Sequence, residues 1–103
     1  MGQKTDPMLS WLKEISEVPG PSGFERRVRD LMTRRLAGQC EVLEDRIGSV
    51  IFKKQGSVDG PIVMLAAHMD EIGFLVKTVT KEGFLKFVTL GGWWEQVMLG
   101  QRV

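Results

Sequence analysis

Six apolar residues in a row, Ile62 to Ala67, follow Pro61 and run directly into His68, the only histidine in the sequence. A short continuous apolar run of this kind predicts a strand buried on both faces, as in the middle of a parallel sheet. Where such a strand ends the chain must surface, and in open α/β sheets ligands bind beyond the carboxyl ends of the strands. The residues delivered to that end are His68, Asp70 and Glu71. Two adjacent acids and an imidazole concentrate charge where burial is costly, and a bound cation would relieve that cost.

The rest of the chain supplies a frame for this segment. Asp6-Pro7 suits a helix start, with Asp as cap and Pro at the first helical position. Met8, Leu12 and Ile15 recur at helical spacing with Trp11 beside them, until Val18-Pro19-Gly20-Pro21 ends the helix. Ser22-Gly23-Phe24-Glu25 reads as a capping box for a second helix. Its apolar face is Phe24, Val28, Leu31, Met32 and Leu36, and Gly38 is its stop. The opposite face carries Arg26, Arg27, Arg29, Arg34 and Arg35. Such a face either binds an acidic partner or is a solvated surface with acids nearby.

Glu41 to Asp45 and Ser49 to Lys53 predict two strands around a turn at Arg46-Ile47-Gly48. Ile72 to Thr80 and Phe84 to Leu90 predict a second hairpin around Lys81-Glu82-Gly83. The Gly91-Gly92-Trp93-Trp94 run is read as a tight turn with aromatic packing. The chain stops at Gly100-Gln101-Arg102-Val103 without turn, cap or polar tail, which reads as an interruption. A central strand deprived of its sheet neighbours leaves an apolar edge, so poor solubility or self-association is expected.

Composition narrows the possibilities. With 103 residues, 43% hydrophobic and 26% charged, the chain has the make-up of a soluble globular protein. A net charge of +1 gives no reason to expect nucleic acid or an acidic membrane surface. The polar Met1 to Thr5 stretch reads as a loose tail, and Met1 to Ile15 lacks the apolar core of a secretory signal. No stretch approaches the roughly 20 apolar residues of a membrane span. Cys40 is the lone cysteine, so an internal disulfide is excluded and a reducing, cytoplasmic compartment is expected. Cys40 has no second histidine to act as its base, and reads as a small buried residue. There is no G-x-S-x-G elbow and no glycine-rich phosphate loop.

In an extended segment residues i and i+2 point to the same side. His68-x-Asp70 therefore suits one metal ligand with an orienting acid, or two groups facing one pocket. A hydrogen-bonded rim histidine beside solubilising acids fits the same spacing.

Taken together, Ala67-His68-Met69-Asp70-Glu71-Ile72-Gly73-Phe74, Gly83-Phe84-Leu85, Gly91-Gly92-Trp93 and Gly100-Gln101-Arg102-Val103 resemble the co-catalytic metallo-aminopeptidases. These are the glutamyl, deblocking and tetrahedral dodecameric aminopeptidases, some carrying an older cellulase or endoglucanase label. Pro19-Gly20-Pro21-Ser22-Gly23-Phe24-Glu25 and Asp45-Arg46-Ile47-Gly48 match the opening pattern of that family, with Ser49 standing where it usually has asparagine. The resemblance implies an α/β fold: the N-terminal part of a zinc-exopeptidase-like three-layer α/β/α domain over residues 1–70. Residues 71–103 would open an inserted PDZ-like β-barrel dimerisation domain. It also implies His68 as a metal ligand and Asp70 as the acid that orients it. The whole enzyme would use two divalent ions, zinc or cobalt, on short peptides, and would be a homo-oligomer acting without nucleic acid or membrane. The remaining ligands and the general base of that family lie beyond these residues, so the chain alone is expected to be inactive. Two alternatives stand beside this one: a non-catalytic module that binds an acidic partner through the arginine helix, and a glycoside hydrolase. The latter needs two facing carboxylates, and no such pair can be assigned.

Overall fold

The computed structural model describes residues 6–102, so the expected N-terminal tail and the final Val103 lie outside the described residues. Helix α1 spans Pro7–Ser16 and starts as expected, with the Met8 amide donating to Asp6 Oδ1 at 2.8 Å. Helix α2 spans Arg26–Leu36 and buries Val28 and Leu31, which at 4% and 7% exposure form the small apolar core of the described residues. Phe24 does not join that face and is exposed. The helix begins at Arg26, so Phe24 sits on the preceding turn, outside the helical period.

Strands β1 (Glu41–Glu44) and β2 (Val50–Lys53) form an antiparallel hairpin with Val42 opposite Phe52. Asp45 builds its turn, accepting hydrogen bonds from the amides of Ile47 at 2.9 Å and Ser49 at 2.8 Å. Gly48 follows at a φ of 98°, a conformation that penalises any side chain. Strands β3 (Gly73–Val79) and β4 (Leu85–Leu90) form a second antiparallel hairpin, with a bulge between Val76 and Thr78. At its open end the Trp93 indole N–H donates to the carbonyls of Gly73 at 3.0 Å and Leu90 at 3.1 Å. The Trp93 ring stacks on Phe74, with centroids 4.2 Å apart, and Phe74 meets Phe87 edge-on at 4.5 Å. The expected turn with aromatic packing is present at Trp93, while Trp94 points into solvent.

The architecture is mixed α/β, but one central expectation fails. Residues 61–70 form no strand, and Ile62 and Leu65 are 100% and 93% exposed. A strand exists only through hydrogen bonds to a neighbour, and each described sheet has just two strands, already paired with one another. Among the described residues the sole parallel pairing is an isolated bridge between Pro21 and Glu71. The radius of gyration, 18.8 Å, exceeds the roughly 13 Å of a compact chain this long.

The basic face of α2 resolves mainly into ion pairs and stacking. Arg29 reaches Glu44 at 3.3 Å, Arg26 lies 3.8 Å from Asp30, and the Arg35 guanidinium sits over the Trp11 ring at 5.4 Å. Cys40 is half-buried, with its thiol 3.6 Å from the Leu36 carbonyl.

Two outcomes follow from this packing. The run from Ile62 to Leu65 is a bare apolar surface, so the 103-residue chain should self-associate and Leu65→Lys should weaken the association, as read by light scattering. A dilution-independent monomer mass would contradict this. The second concerns acid. The Ser49 hydrogen bonds, and those of the turn amides, hold the Asp45 carboxyl below its ordinary value of 3.8. A carboxylate depressed in this way stabilises the hairpin fully above its unfolded pKa, and the benefit is lost as pH falls through the folded one. Protection of the Ile47 and Ser49 amides, relative to their intrinsic exchange rates, should therefore fall below about pH 4, and Asp45→Asn should remove that pH dependence.

Candidate functional site

The segment that carries His68 has no regular structure, yet it is not free. The loop after α1 grips it. The Glu71 amide donates to the Gly20 carbonyl at 3.0 Å, and the Gly20 amide donates to Glu71 Oε1 at 2.9 Å. Glu71 thus satisfies the loop with both backbone and side chain. Two residues on, the backbone of Gly73 packs against the Pro21 ring so closely that a Cβ on Gly73 would lie 2.8 Å from Pro21 Cβ. Gly20 is equally confined: a Cβ there would lie 2.6 Å from Val28 Cγ2, inside the small core.

Ser22 makes the third tie. The Phe24 amide donates to the Pro21 carbonyl at 2.8 Å, closing a turn with Ser22 and Gly23 at its centre. Gly23 has a φ of 86°, as the third position of such a turn demands. This turn aims the Ser22 hydroxyl at Asp70, and it donates to Oδ2 at 2.5 Å. The expected capping box is therefore not made, and α2 starts with no side-chain cap bond. Glu25 does reach back, accepting from the Gly23 amide at 2.7 Å, but the serine is spent on Asp70 and not on the helix.

His68 and Asp70 lie together. His68 Nδ1 is 2.9 Å from the Asp70 carbonyl oxygen and 3.0 Å from Asp70 Oδ1. The Ser22 hydroxyl, above all, holds the Asp70 carboxyl below its ordinary value, against the opposing effect of partial burial. The His68 ring acts in the same sense. Both atoms facing Nδ1 are then acceptors, so Nδ1 carries the hydrogen and a neutral ring presents its lone pair at Nε2. The ring is 85% exposed, and Nε2 has no hydrogen-bond partner among the described residues. An imidazole with one nitrogen tied to a carboxylate and the other bare is chemically a donor for a divalent ion.

The donor set is small. Among the described residues no group of three His, Cys, Asp or Glu side chains gathers to hold a metal. Glu71 is occupied by Gly20, and Asp70 by Ser22 and His68. The residues therefore fit one ligand position of a larger centre.

Three parts of the clasp were missed by sequence reasoning: Gly20, Ser22 in its actual role, and the Glu71 side chain. Local rules assign Ser22 to a helix cap, while its true partner lies 48 residues away. The available signal was that Pro19 to Glu25 and Ala67 to Phe74 both carry the family resemblance; nothing in either motif says that they touch.

The family profile described as M42 glutamyl aminopeptidase matches residues 48–103. The lysyl aminopeptidase of Pyrococcus furiosus is 40% identical over 100 residues, covering 93% of this chain and 28% of that protein. The chain belongs to the M42 glutamyl aminopeptidase family. Among solved structures, the TET aminopeptidase of a marine sediment Thaumarchaeota archaeon superposes with a TM-score of 0.84 at 45% identity, over 93% of this chain and 27% of that one. The TET1 peptidase of Pyrococcus horikoshii, which can assemble into a tetrahedron or a large octahedral shell, gives 0.69 at 38% identity, over 82% and 25%. This M42 chain spans about a quarter of the length of the relatives it matches.

The clasp makes a local prediction. Gly20→Ala forces a methyl into Val28, and overpacking of this kind costs about 1–3 kcal/mol. Hydrogen exchange of the Glu71 amide should accelerate correspondingly; unchanged protection would show that the loop does not depend on this close approach.

Proposed function

We propose that this chain supplies the first metal ligand of an M42 aminopeptidase, which removes N-terminal residues from short peptides. The observation that carries the reading is the His68 ring, with Nδ1 committed to Asp70 and Nε2 bare and solvent-facing. Family membership supports it, since the relatives that cover this chain are named aminopeptidases. His68 would hold one divalent ion through Nε2, and Asp70 would fix the tautomer that makes this possible. A pair of such ions, zinc or cobalt, polarises a peptide carbonyl and lowers the pKa of bound water. The other ligands and the general base would come from the part of the family's length that this chain does not cover.

The same reading gives the bare apolar run a place. Residues 1–70 would be the opening of a three-layer catalytic domain, in which Ile62 to Ala67 gains strand neighbours and becomes its central strand. Residues 71–103 would begin the inserted PDZ-like β-barrel, with β3 and β4 as its first strands. Assembly of the whole enzyme into a homo-oligomer is supported by the assembling TET peptidase among its neighbours. A cytoplasmic location accords with the single free cysteine.

The competing reading of α2 as a docking face for an acidic partner loses support, because Arg26, Arg29 and Arg35 are engaged within the chain.

The test compares the 103-residue chain with a form of full family length, each supplied with zinc or cobalt and assayed on amino-acid p-nitroanilides. The longer form should turn over, and His68→Ala in it should reduce kcat/KM to background. The 103-residue chain should show no turnover above metal alone. Robust hydrolysis by the short chain would refute the single-ligand reading, and an active His68→Ala enzyme would refute the role of His68.

A further inference from the structure

We infer that Ser22 is a positioning residue for the metal-facing imidazole, acting through Asp70; this deepens the aminopeptidase reading and rests on it. A carboxylate held by one hydrogen bond can rotate about its Cβ–Cγ bond and exchange its two oxygens. Asp70 is held on both. Oδ1 faces His68 Nδ1 at 3.0 Å, and Oδ2 accepts from the Ser22 hydroxyl at 2.5 Å. With Oδ2 fixed, Oδ1 stays on Nδ1 beside the Asp70 carbonyl oxygen at 2.9 Å, and the two acceptors together hold the proton of the neutral ring there.

The serine can do this because it is itself held. It occupies the second position of the turn closed by the Phe24 amide on the Pro21 carbonyl. The residue before that turn, Gly20, is bonded twice to Glu71, the neighbour of Asp70 in sequence. The hydroxyl and the carboxylate are thus carried by two backbones locked together two residues before Ser22 and one residue after Asp70. The backbone carries the Gly20–Glu71 pairing to Ser22 and Asp70, and from there the Ser22–Asp70 and Asp70–His68 contacts are direct hydrogen bonds of 3.0 Å or less.

The Ser22 hydroxyl bonds to Asp70 and not to the His68 ring, so its effect is on the ring's tautomer and orientation. Groups that orient a metal-binding histidine typically change metal affinity by about 10–100-fold. Ser22 stands one bond further out, and the lower end of that range, about tenfold, is the expected loss on its removal.

His68 is the only histidine, so its imidazole gives a single nitrogen spin system. The 103-residue chain is labelled with 15N-histidine and studied by solution or magic-angle-spinning NMR, at a pH where the ring is neutral. The wild-type ring should be predominantly the Nδ1–H tautomer. Ser22→Ala should move the population toward Nε2–H and weaken zinc binding about tenfold, while Ser22→Thr, which keeps the hydroxyl, should restore both. Hydrogen exchange at Glu71, read by mass spectrometry on the same samples, separates positioning from folding. A Ser22→Ala ring with the wild-type tautomer population overturns the inference. So does a shift that appears only together with lost protection of Glu71, since the hydroxyl would then be holding the loop and not the carboxylate. The outcome is distinct from that of the aminopeptidase reading. If zinc leaves the wild-type His68 nitrogens unperturbed, the metal assignment fails, and the tautomer populations still decide the role of Ser22.

Discussion

The pairing of Gly20 with Glu71 is the interaction on which the rest of this structure depends. It joins the loop after the first helix to the end of an otherwise unsupported extended segment, using one backbone bond and one charge-assisted bond from the Glu71 carboxylate. Hydrogen bonds to charged groups are the stronger kind, worth about 1.5–3 kcal/mol. Everything near it is arranged by consequence. Pro21 comes to lie against Gly73, Ser22 comes to face Asp70, and Asp70 turns His68 outward. With Val28 and Leu31 as the only buried apolar side chains among the described residues, polar ties carry an unusual share of the long-range order.

What was legible in the sequence divides by range. The start of α1, the stop of α2 and both hairpins follow from neighbours within four residues. Asp6 caps because Met8 is two positions on, and Asp45 builds its turn with amides two and four positions on. Such chemistry is written locally and reads out locally. The strand expected over Ile62 to Ala67 fails for the opposite reason. Its apolar character says that it wants burial, but whether it becomes a strand depends on hydrogen-bonding neighbours, and none is available among the described residues. Ser22 illustrates the same limit at a single atom: its hydroxyl had a plausible local use and found a distant one. The juxtaposition of His68 and Asp70 was legible, because i and i+2 in an extended chain share a side; the serine behind them was not.

The site also indicates how an outward-facing imidazole can be prepared on a segment lacking regular structure. Helices and strands orient a side chain by fixing the backbone over many residues. Here the backbone is fixed at Glu71 by the loop, the carboxylate by the serine, and the ring by the carboxylate. Each step removes one rotational freedom, so the imidazole can be ordered while 85% of its side chain remains in solvent. Exposure and order are compatible when the restraint comes from one edge of the ring alone.

The indole N–H of Trp93, shared between the carbonyls of Gly73 and Leu90, has a consequence for alignment. Hairpins are usually kept in step by their turn, and a slip of one residue sends every side chain to the wrong side of the ribbon. In this ribbon the mouth is fastened as well, and Phe74 is wedged between two rings that a slipped strand would vacate. Because Gly73 also abuts Pro21, the fastening that sets the ribbon's phase is mechanically continuous with the loop beneath the histidine. Any domain grown outward from this ribbon would inherit a fixed bearing relative to His68.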